Sequence, residues 1–280
     1  MAKREKRNRI IFNLITIVIL VIFLFPIYWM INTSFKSVDE IFARIPTFFP
    51  QNPTLEGYYH QLFVRGTVPF WRTFMNSVII ASLATIISAG LATFAAYGLA
   101  RFKLRFTESI LFVVLLAQMI PGVLFLSPMF ISFQRMNVLN TYFAPVMFTA
   151  LQSVPFCIIV MRPYFLTIPK ELEEAAKIDG CGKLKTFFRV MVPISYPGII
   201  VSAAFTFLWG WGDLMGSLTF IRSETMLPLT VNMFNAITED GVRWNSLMAF
   251  AVILTVPVVA IFVSLQKYLI SGMTSGAVKG

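Results

Sequence analysis

The sequence predicts an all-α integral membrane protein with six transmembrane helices and both termini in the cytoplasm. The 280 residues are 57% hydrophobic but only 13% charged, whereas soluble domains average about 25% charged residues. A chain so poor in charge cannot cover its surface with polar groups, so its solvent is lipid. Its apolar stretches are about 20 residues long or longer, which is enough to cross a bilayer. The predicted spans are residues 10–31, 74–100, 109–130, 141–160, 194–220 and 244–270.

The first span follows a basic start and therefore has to be distinguished from a signal peptide. Residues 1–9 contain five lysines and arginines, and residues 10–31 are then almost entirely apolar. This run is too long for a signal peptide, and no small-residue cleavage site follows at residues 32–34. We expect an uncleaved first span.

The later spans contain features that predict close packing and local breaks. Span two carries a small residue at every third or fourth position, a pattern that lets another helix backbone approach closely: Ala81, Ala84, Ser88, Ala92 and Ala96. Packing within the chain explains this pattern without a functional role. Pro257 predicts a kink in span six.

The lysines and arginines predict the orientation. Sixteen of the 23 lie in residues 1–9, 101–108 and 161–193 or at the C-terminal end (Lys267 and Lys279), against seven in the remaining loops. Cytoplasmic loops carry the excess of basic residues, so both termini and the 161–193 loop are expected in the cytoplasm. This topology explains the net charge of +10 better than nucleic-acid binding does. The tail from Ser271 onward is glycine-rich and is expected to be flexible.

The 161–193 loop between spans four and five reads as two short helices. Pro169 suits a first helical turn, and the acidic residues after it suit the positive end of the helix dipole. Gly180 can take the left-handed conformation that ends a helix. A second, basic helix is predicted over residues 183–191, ending at Pro193.

This loop has the residues of a docking element. Glu173 and Glu174 can form charge-assisted hydrogen bonds with an arginine or lysine of a partner. Ala175 and Ala176 permit close approach into a groove. The alternative is a solvated helical loop that contacts nothing.

Few polar residues fall within the spans. Asp213 in span five is the clear ionisable one, and such residues usually face a cavity or a partner. It either lines a transport path or makes a polar contact between helices, since Gly212 and Gly216 also favour helix contact. Gln118 and Asn245 are weaker candidates for a path that takes a neutral hydroxylated solute. An ion-gradient-driven secondary carrier is the alternative function, and only Asp213 suggests it.

The sequence gives little sign of an enzyme. It has no phosphate-binding loop of the Gly-x-x-x-x-Gly-Lys-Ser/Thr type, and no nucleophile–base set accompanies the single histidine, His60. His60 has no metal-binding partner nearby, so no metal site is expected. Cys157 and Cys181 are expected in different environments, so we predict no disulfide between them.

In the cytoplasmic loop, Glu174-Ala-Ala176 is followed by Gly180, then nine residues, then Val190-Met-Val-Pro193. This spacing resembles the EAA loop of bacterial ATP-binding-cassette importer permeases. Span five departs from the family pattern, with Trp211-Gly-Asp-Leu214 where Trp-Asn-Glu-Phe is usual. Further segments resemble the carbohydrate-uptake branch, and within it the maltose-type second permease subunits: Thr33-Ser-Phe-Lys36, Pro53-Thr-Leu-Glu-Gly-Tyr58, Asn76-Ser77, Asn140-Thr-Tyr142, Ile178-Asp-Gly180 and Gly276-Ala-Val-Lys-Gly280.

The resemblance implies a non-catalytic, multi-pass permease subunit, a single domain over residues 1–280, in a bacterial plasma membrane. It implies four kinds of partner: a second permease, two ATPase subunits that use ATP and Mg, an external solute-binding protein and the lipid bilayer. No cofactor of this chain's own is implied. The solute would be a sugar or oligosaccharide. The predicted ATPase-coupling interface comprises Glu173, Glu174, Ala175, Ala176, Asp179, Gly180 and Pro193.

Overall fold

The computed structural model describes residues 2–64, 68–234 and 242–277, and every regular element within them is helical. Arg65, Glu239, Asp240 and Lys279 lie outside the described residues. We number the principal helices α1 (Ala2–Ser34), α2 (Phe70–Arg101), α3 (Thr107–Met119), α4 (Leu126–Arg135), α5 (Phe143–Thr167), α6 (Lys170–Ile178), α7 (Lys183–Ile194), α8 (Tyr196–Gly212), α9 (Met215–Phe220) and α10 (Trp244–Ala277). Shorter helical turns lie at Val38–Ile41, Glu56–Tyr59, His60–Val64, Gly122–Phe125, Glu224–Met226 and Leu229–Phe234.

Among the described residues, four helices are long and apolar enough to cross a membrane, within α1, α2, α5 and α10. Two bent pairs, residues 107–119 with 122–135 and residues 183–194 with 196–212, raise the number to six if each pair is one span. The all-helical membrane class that the sequence predicts is therefore confirmed.

Span three is not continuous, contrary to the prediction for 109–130. Helix α3 ends at Met119, and the helical segment from Gly122 leaves at 93° to it. Ile120 has an extended backbone, with ψ at 122°, because Pro121 disfavours the helical conformation in the residue that precedes it.

Span five is interrupted as well, where the sequence predicts one stretch over 194–220. Helix α8 ends at Gly212, Asp213 is extended with ψ at 116°, and α9 begins at Met215. Ser195 separates α8 from α7, which includes Pro193 rather than ending at it.

Helix α5 continues to Thr167 instead of ending near Val160 as predicted. The charge at Arg162 and the proline beside it indicate an end in the sequence. In the structure Met161 and Phe165 are fully buried in an apolar cluster, and this packing outweighs the local preference.

Two further boundaries differ from the predictions. Pro169 precedes the first helical residue, Lys170, instead of occupying the first turn. The tail predicted from Ser271 is helical as far as Ala277 within α10.

The chain forms two compact units, residues 1–70 with 233–257, and residues 71–232 with 258–280. In the first unit Gly57 packs against the start of α10, where a Cβ would lie 2.7 Å from the backbone oxygen of Asn245. Only glycine permits this approach. Phe70 and Phe250, both buried, meet edge to face in the same unit.

In the second unit the small-residue stripe of α2 is packed inside the chain. Ala81, Ala84, Ala92 and Ala96 are fully buried. A Cβ on Gly210 of α8 would lie 2.9 Å from the Cα of Ala81, so the two backbones meet directly. The stripe thus packs within the chain, as expected.

Polar side chains of α2 hold the segment that follows α9. The amide of Asn76 donates to the backbone oxygens of Thr225 and Leu227, at 3.1 and 2.9 Å. The hydroxyl of Ser77 accepts from the backbone N–H of Leu229 at 2.8 Å. The Asn76-Ser77 pair therefore has a structural role near the start of α2.

Candidate functional site: the loop between α5 and α8 and a polar pocket

The loop between α5 and α8 consists of two helices joined at a glycine. The first helix, α6, ends at Ile178, and Gly180 follows with a φ of +76°, a conformation that favours glycine. The backbone N–H of Cys181 then bonds the carbonyl of Ala176 at 2.9 Å. This closure directs the chain into α7.

The inner face of the loop rests on a buried apolar cluster. The side chains in the cluster come from α2, α5, the loop start and α7: Ala96, Tyr97, Met161, Phe165, Ile168, Phe187 and Met191. Ala176 of α6 is also buried, at 6% exposure. Both loop helices are therefore fixed by packing that comes from other parts of the chain.

Glu173 is engaged within the chain. Its Oε1 lies 2.8 Å from Nε of Arg101 at the end of α2, and the two side chains are only 16% and 6% exposed. Arg101 also donates through Nη2 to the backbone carbonyl of Ile168. The sequence predicts that Glu173, Glu174, Ala175 and Ala176 meet a partner. In the structure, Glu173 and Ala176 face the interior of the chain.

Glu174, Ala175, Asp179 and Gly180 are exposed. Two large apolar side chains near them are also exposed: Ile178 is 86% exposed, and Leu184 of α7 is 69% exposed. We call the exposed Glu174, Ala175, Ile178, Asp179 and Leu184 the loop surface. Pro193, near the end of α7, is exposed too.

A polar pocket of about 190 Å³ lies in the second unit, lined by Gln118, Thr149, Gln152, Trp209 and Asp213. Gln118 is near the end of α3, next to the break at Pro121, and Asp213 forms the break between α8 and α9. Two predicted candidates therefore line one pocket, at two interruptions of the helices.

Asp213 acts as a helix cap. Its Oδ1 accepts from the N–H of Gly216 at 3.1 Å, and its Oδ2 accepts from the N–H and the hydroxyl of Ser217 at 2.8 and 3.0 Å. The N–H groups of Gly216 and Ser217 are among the backbone donors that the first turn of a helix leaves unpaired. The carboxylate stabilises the start of α9 and also lines the pocket, so both interpretations of this residue stay predictions.

The candidates in the sequence do not include Thr149 and Gln152 of α5. Thr149 is 3% exposed, and among the described residues its Oγ1 has no hydrogen-bond partner. The Gln152 amide occupies the space beside Gly122, where a Cβ would overlap it. The signal available in the sequence is their spacing of three, which puts both on one side of a helix.

Asn245, the third predicted candidate, is not among the residues that line this pocket. It belongs to the first unit and is fully buried there, with its Oδ1 accepting from the N–H of Ser246 at 2.8 Å. Its backbone oxygen meets Gly57. The contacts identify it as a packing residue at the start of α10.

A second charged group, Glu40, lies in the loop after α1. The Thr47 hydroxyl donates to its Oε1 at 2.5 Å, and the N–H of Gln51 donates to the same oxygen at 3.0 Å. These hydrogen bonds, the Thr47 one foremost, hold the pKa of Glu40 below its ordinary value of 4.5, and the nearby Lys36 ammonium acts in the same direction. Lys36 also donates to the carbonyl of Thr47.

The described residues contain no group of three or more histidine, cysteine or acidic side chains that could hold a metal ion. Cys157 is buried and Cys181 half-buried, and neither forms a disulfide.

Comparison with known proteins gives the family. Residues 88–275 match the model of the binding-protein-dependent transport system inner membrane component. The chain is 31% identical over 281 residues to the diacetylchitobiose uptake system permease protein DasC of Streptomyces coelicolor, covering 99% of this chain and 100% of that one. It is 32% identical to the trehalose/maltose transport system permease protein MalG of Thermococcus litoralis, covering 99% of each.

A solved structure gives the same fold. The chain superimposes with a TM-score of 0.77 on a chain of a bacterial ABC transporter involved in the import of the acidic polysaccharide alginate, at 22% identity, covering 94% of this chain and 98% of that one. The family model covers most of this chain, and the relatives match along its whole length. This chain therefore belongs to the family of inner membrane components of binding-protein-dependent transport systems, the permeases of ABC importers.

Proposed function

We propose that this permease translocates a sugar or oligosaccharide delivered by an external solute-binding protein. Relatives named for diacetylchitobiose, trehalose/maltose and galactooligosaccharides support this solute class. The chain acts as one transmembrane permease domain with six spans and both termini in the cytoplasm. It is a non-catalytic subunit that pairs with a second, different permease, and two ATPase subunits hydrolyse ATP with Mg.

The loop surface docks on an ATPase subunit. The observation that carries this assignment is the exposure of Ile178, at 86%, next to Ala175 and Leu184. Ile178 and Leu184 are two large apolar side chains exposed beside acidic residues, and exposed apolar groups rimmed by polar residues mark protein interaction sites. Glu174 and Asp179 add carboxylates that suit arginine or lysine on that partner.

The remaining residues of the predicted interface shape this surface rather than contact the partner. Glu173 and Ala176 face the chain's own α2 and apolar cluster. Gly180 supplies the left-handed turn between the two helices. Pro193 lies within the last turn of α7, before α8 begins.

Bulk added to the loop surface tests the docking. Ala175→Trp and Ile178→Asp are compared with Leu104→Trp, which adds bulk at an exposed residue of the turn between α2 and α3. The importer is purified through a tag on this chain, and the retained ATPase subunits are quantified. We expect at least a tenfold weaker association for both loop variants, since each 1.4 kcal/mol lost is tenfold in affinity. Unchanged retention and unchanged solute-stimulated ATP hydrolysis in both would refute the docking.

The polar pocket lies on the solute path. Hydroxyl and amide groups of Thr149, Gln152 and Gln118 suit a neutral hydroxylated solute, and the indole of Trp209 offers an apolar face. Transporters place solute sites at interrupted helices, where the irregular backbone lines a cavity. Asp213 contributes through the break that it caps. Asn245 is not among the residues that line this pocket, so its place on a path stays a prediction.

An ion-gradient-driven carrier is the alternative that Asp213 suggested. The capping hydrogen bonds account for this carboxylate without ion coupling. The chain reconstituted alone in liposomes, with an ion gradient and no ATP, is expected to move no solute. Uptake under those conditions would contradict the importer assignment.

A further inference from the structure

The end of α2 is joined to the loop helix α6 by a buried ion pair. The Arg101 guanidinium binds the Glu173 carboxylate through Nε at 2.8 Å and the carbonyl of Ile168 through Nη2. Both charged side chains are largely buried, and removing one partner of such a pair leaves the other charge uncompensated. The contact is therefore costly to open, unlike an ion pair at the surface.

The same end of α2 also packs against the second loop helix, α7. Phe187 of α7 stacks on Phe94 with ring centroids 4.7 Å apart, and it lies 4.9 Å from the Tyr97 ring. The Lys183 ammonium, at the start of α7, lies 5.3 Å from the centre of the Phe102 ring. Residues 94–102 thus contact both helices of the loop.

Helix α2 has no direct chain connection to the loop. The loop is covalently continuous with α5 and α8, so any displacement of it reaches those helices through the backbone. Displacement reaches α2 through contacts of side chains, and the Arg101–Glu173 pair is the buried ion pair among them, so its two charges are costly to separate. The apolar contacts around Phe187 permit sliding, because dispersion forces are not directional.

We propose that Arg101 is a positioning residue that transmits movement of the docked loop to α2. This inference rests on the proposed docking of the loop surface on an ATPase subunit. When ATP-driven closure displaces α6, the ion pair moves the end of α2 with it, instead of letting the loop slide over the cluster.

A rigid α2 carries this movement towards the pocket. Its buried Ala81 touches the backbone of α8 at Gly210, next to the pocket residue Trp209. Its Ser88 hydroxyl bonds that of Ser153 in α5 at 2.7 Å, directly after the pocket residue Gln152. Movement of α2 therefore reaches α5 and α8, two of the helices that supply pocket residues.

The test separates transmission from docking. Arg101→Met and Glu173→Gln each remove the ion pair, and Lys103→Met is the matched control at an exposed basic residue of the same turn. The complete importer is assembled in lipid nanodiscs with its binding protein and a maltooligosaccharide mixture as probe. Two quantities are measured: the retained ATPase subunits, and the ratio of stimulated to basal ATP hydrolysis.

We expect both pair variants to retain the ATPase subunits, because the loop surface is unaltered. We expect their stimulated-to-basal ratio to fall about fivefold or more, the lower end of ordinary coupling between sites, with Lys103→Met unchanged. Arg101→Glu combined with Glu173→Arg should recover part of the ratio, as a purely steric effect would not. Arg101→Lys, which keeps the charge but not the fork, should give an intermediate value.

An unchanged ratio in assembled Arg101→Met and Glu173→Gln importers would overturn the proposal. Loss of the ATPase subunits in these variants would also overturn it, because the pair would then only shape the loop. Ala175→Trp is measured in parallel. If it too keeps its subunits and its ratio, the docking assignment itself has failed.

Discussion

Replacing Asp213 distinguishes a helix cap from an ion-coupling carboxylate. Asparagine keeps a side-chain oxygen that can accept from the first turn of α9, and it caps helices about as well as aspartate. Alanine removes the acceptor altogether. If the carboxylate serves as a cap, Asp213→Asn should transport nearly normally and Asp213→Ala should be unstable. If the charge itself is used, both should fail in transport.

The magnitude follows from the hydrogen bonds. Loss of an N-cap side chain costs about 1 kcal/mol, in a range of about 0.5–2. Here Gly216 and Ser217 are buried, and an unsatisfied buried donor costs about 1–3 kcal/mol. We therefore expect about 2 kcal/mol for Asp213→Ala and less than about 1 for Asp213→Asn. Ser217→Ala, which removes only the hydroxyl donor at 3.0 Å, should cost about 1 kcal/mol of stability.

Two assays measure these effects. Thermal unfolding of the assembled importer should rank the variants with Asp213→Ala the least stable. ATP-dependent uptake in proteoliposomes should leave Asp213→Asn close to the unmodified protein. A stable, assembled Asp213→Asn importer without uptake would refute the cap as the role of this residue and return attention to its charge.

Three further predictions follow from other contacts. Hydrogen bonds lower the pKa of Glu40, so its contribution to stability is complete above pH 4.5 and is lost as the pH falls through the lower pKa of the folded state. Thermal unfolding measured against pH should show this loss, and Glu40→Gln should abolish the pH dependence. Gly122→Ala should displace the Gln152 amide from the pocket, so the KM for solute uptake should change while assembly stays normal. Gly198→Ala would put a Cβ 2.6 Å from the ring of Tyr164, and overpacking of this kind costs about 1–3 kcal/mol. Gly90→Ala, with nothing within 4 Å, is the control for both glycine changes, and equal melting temperatures for Gly198→Ala and Gly90→Ala would contradict the packing argument.

Several features of this protein follow from the sequence because their causes are local. Long apolar runs predict helices in lipid, and those around residues 74–100 and 244–270 are helical in the structure. The glycine between the two loop helices has the predicted left-handed backbone at Gly180. The spacing around Glu174 is local as well, and through it the sequence alone resembles the importer permeases.

The breaks within the spans depend on contacts that are distant in the sequence or on single side chains that hydropathy averages away. The average hydropathy of residues 194–220 is apolar, yet α8 ends and α9 begins around the single carboxylate of Asp213. The polar pocket likewise needs two such breaks and the α5 residues Thr149 and Gln152 in one place, which no local pattern specifies.

The sequence by itself determined the membrane class, the helical loop and the family. Only the tertiary structure decided which member of each adjacent pair faces outward: Glu174 rather than Glu173, and Ala175 rather than Ala176. Neighbouring residues on a helix point about 100° apart, so composition cannot separate them. Their direction is fixed by groups from elsewhere in the chain, of which the buried Arg101 at the end of α2 is the decisive one, because its charge needs a carboxylate to compensate it.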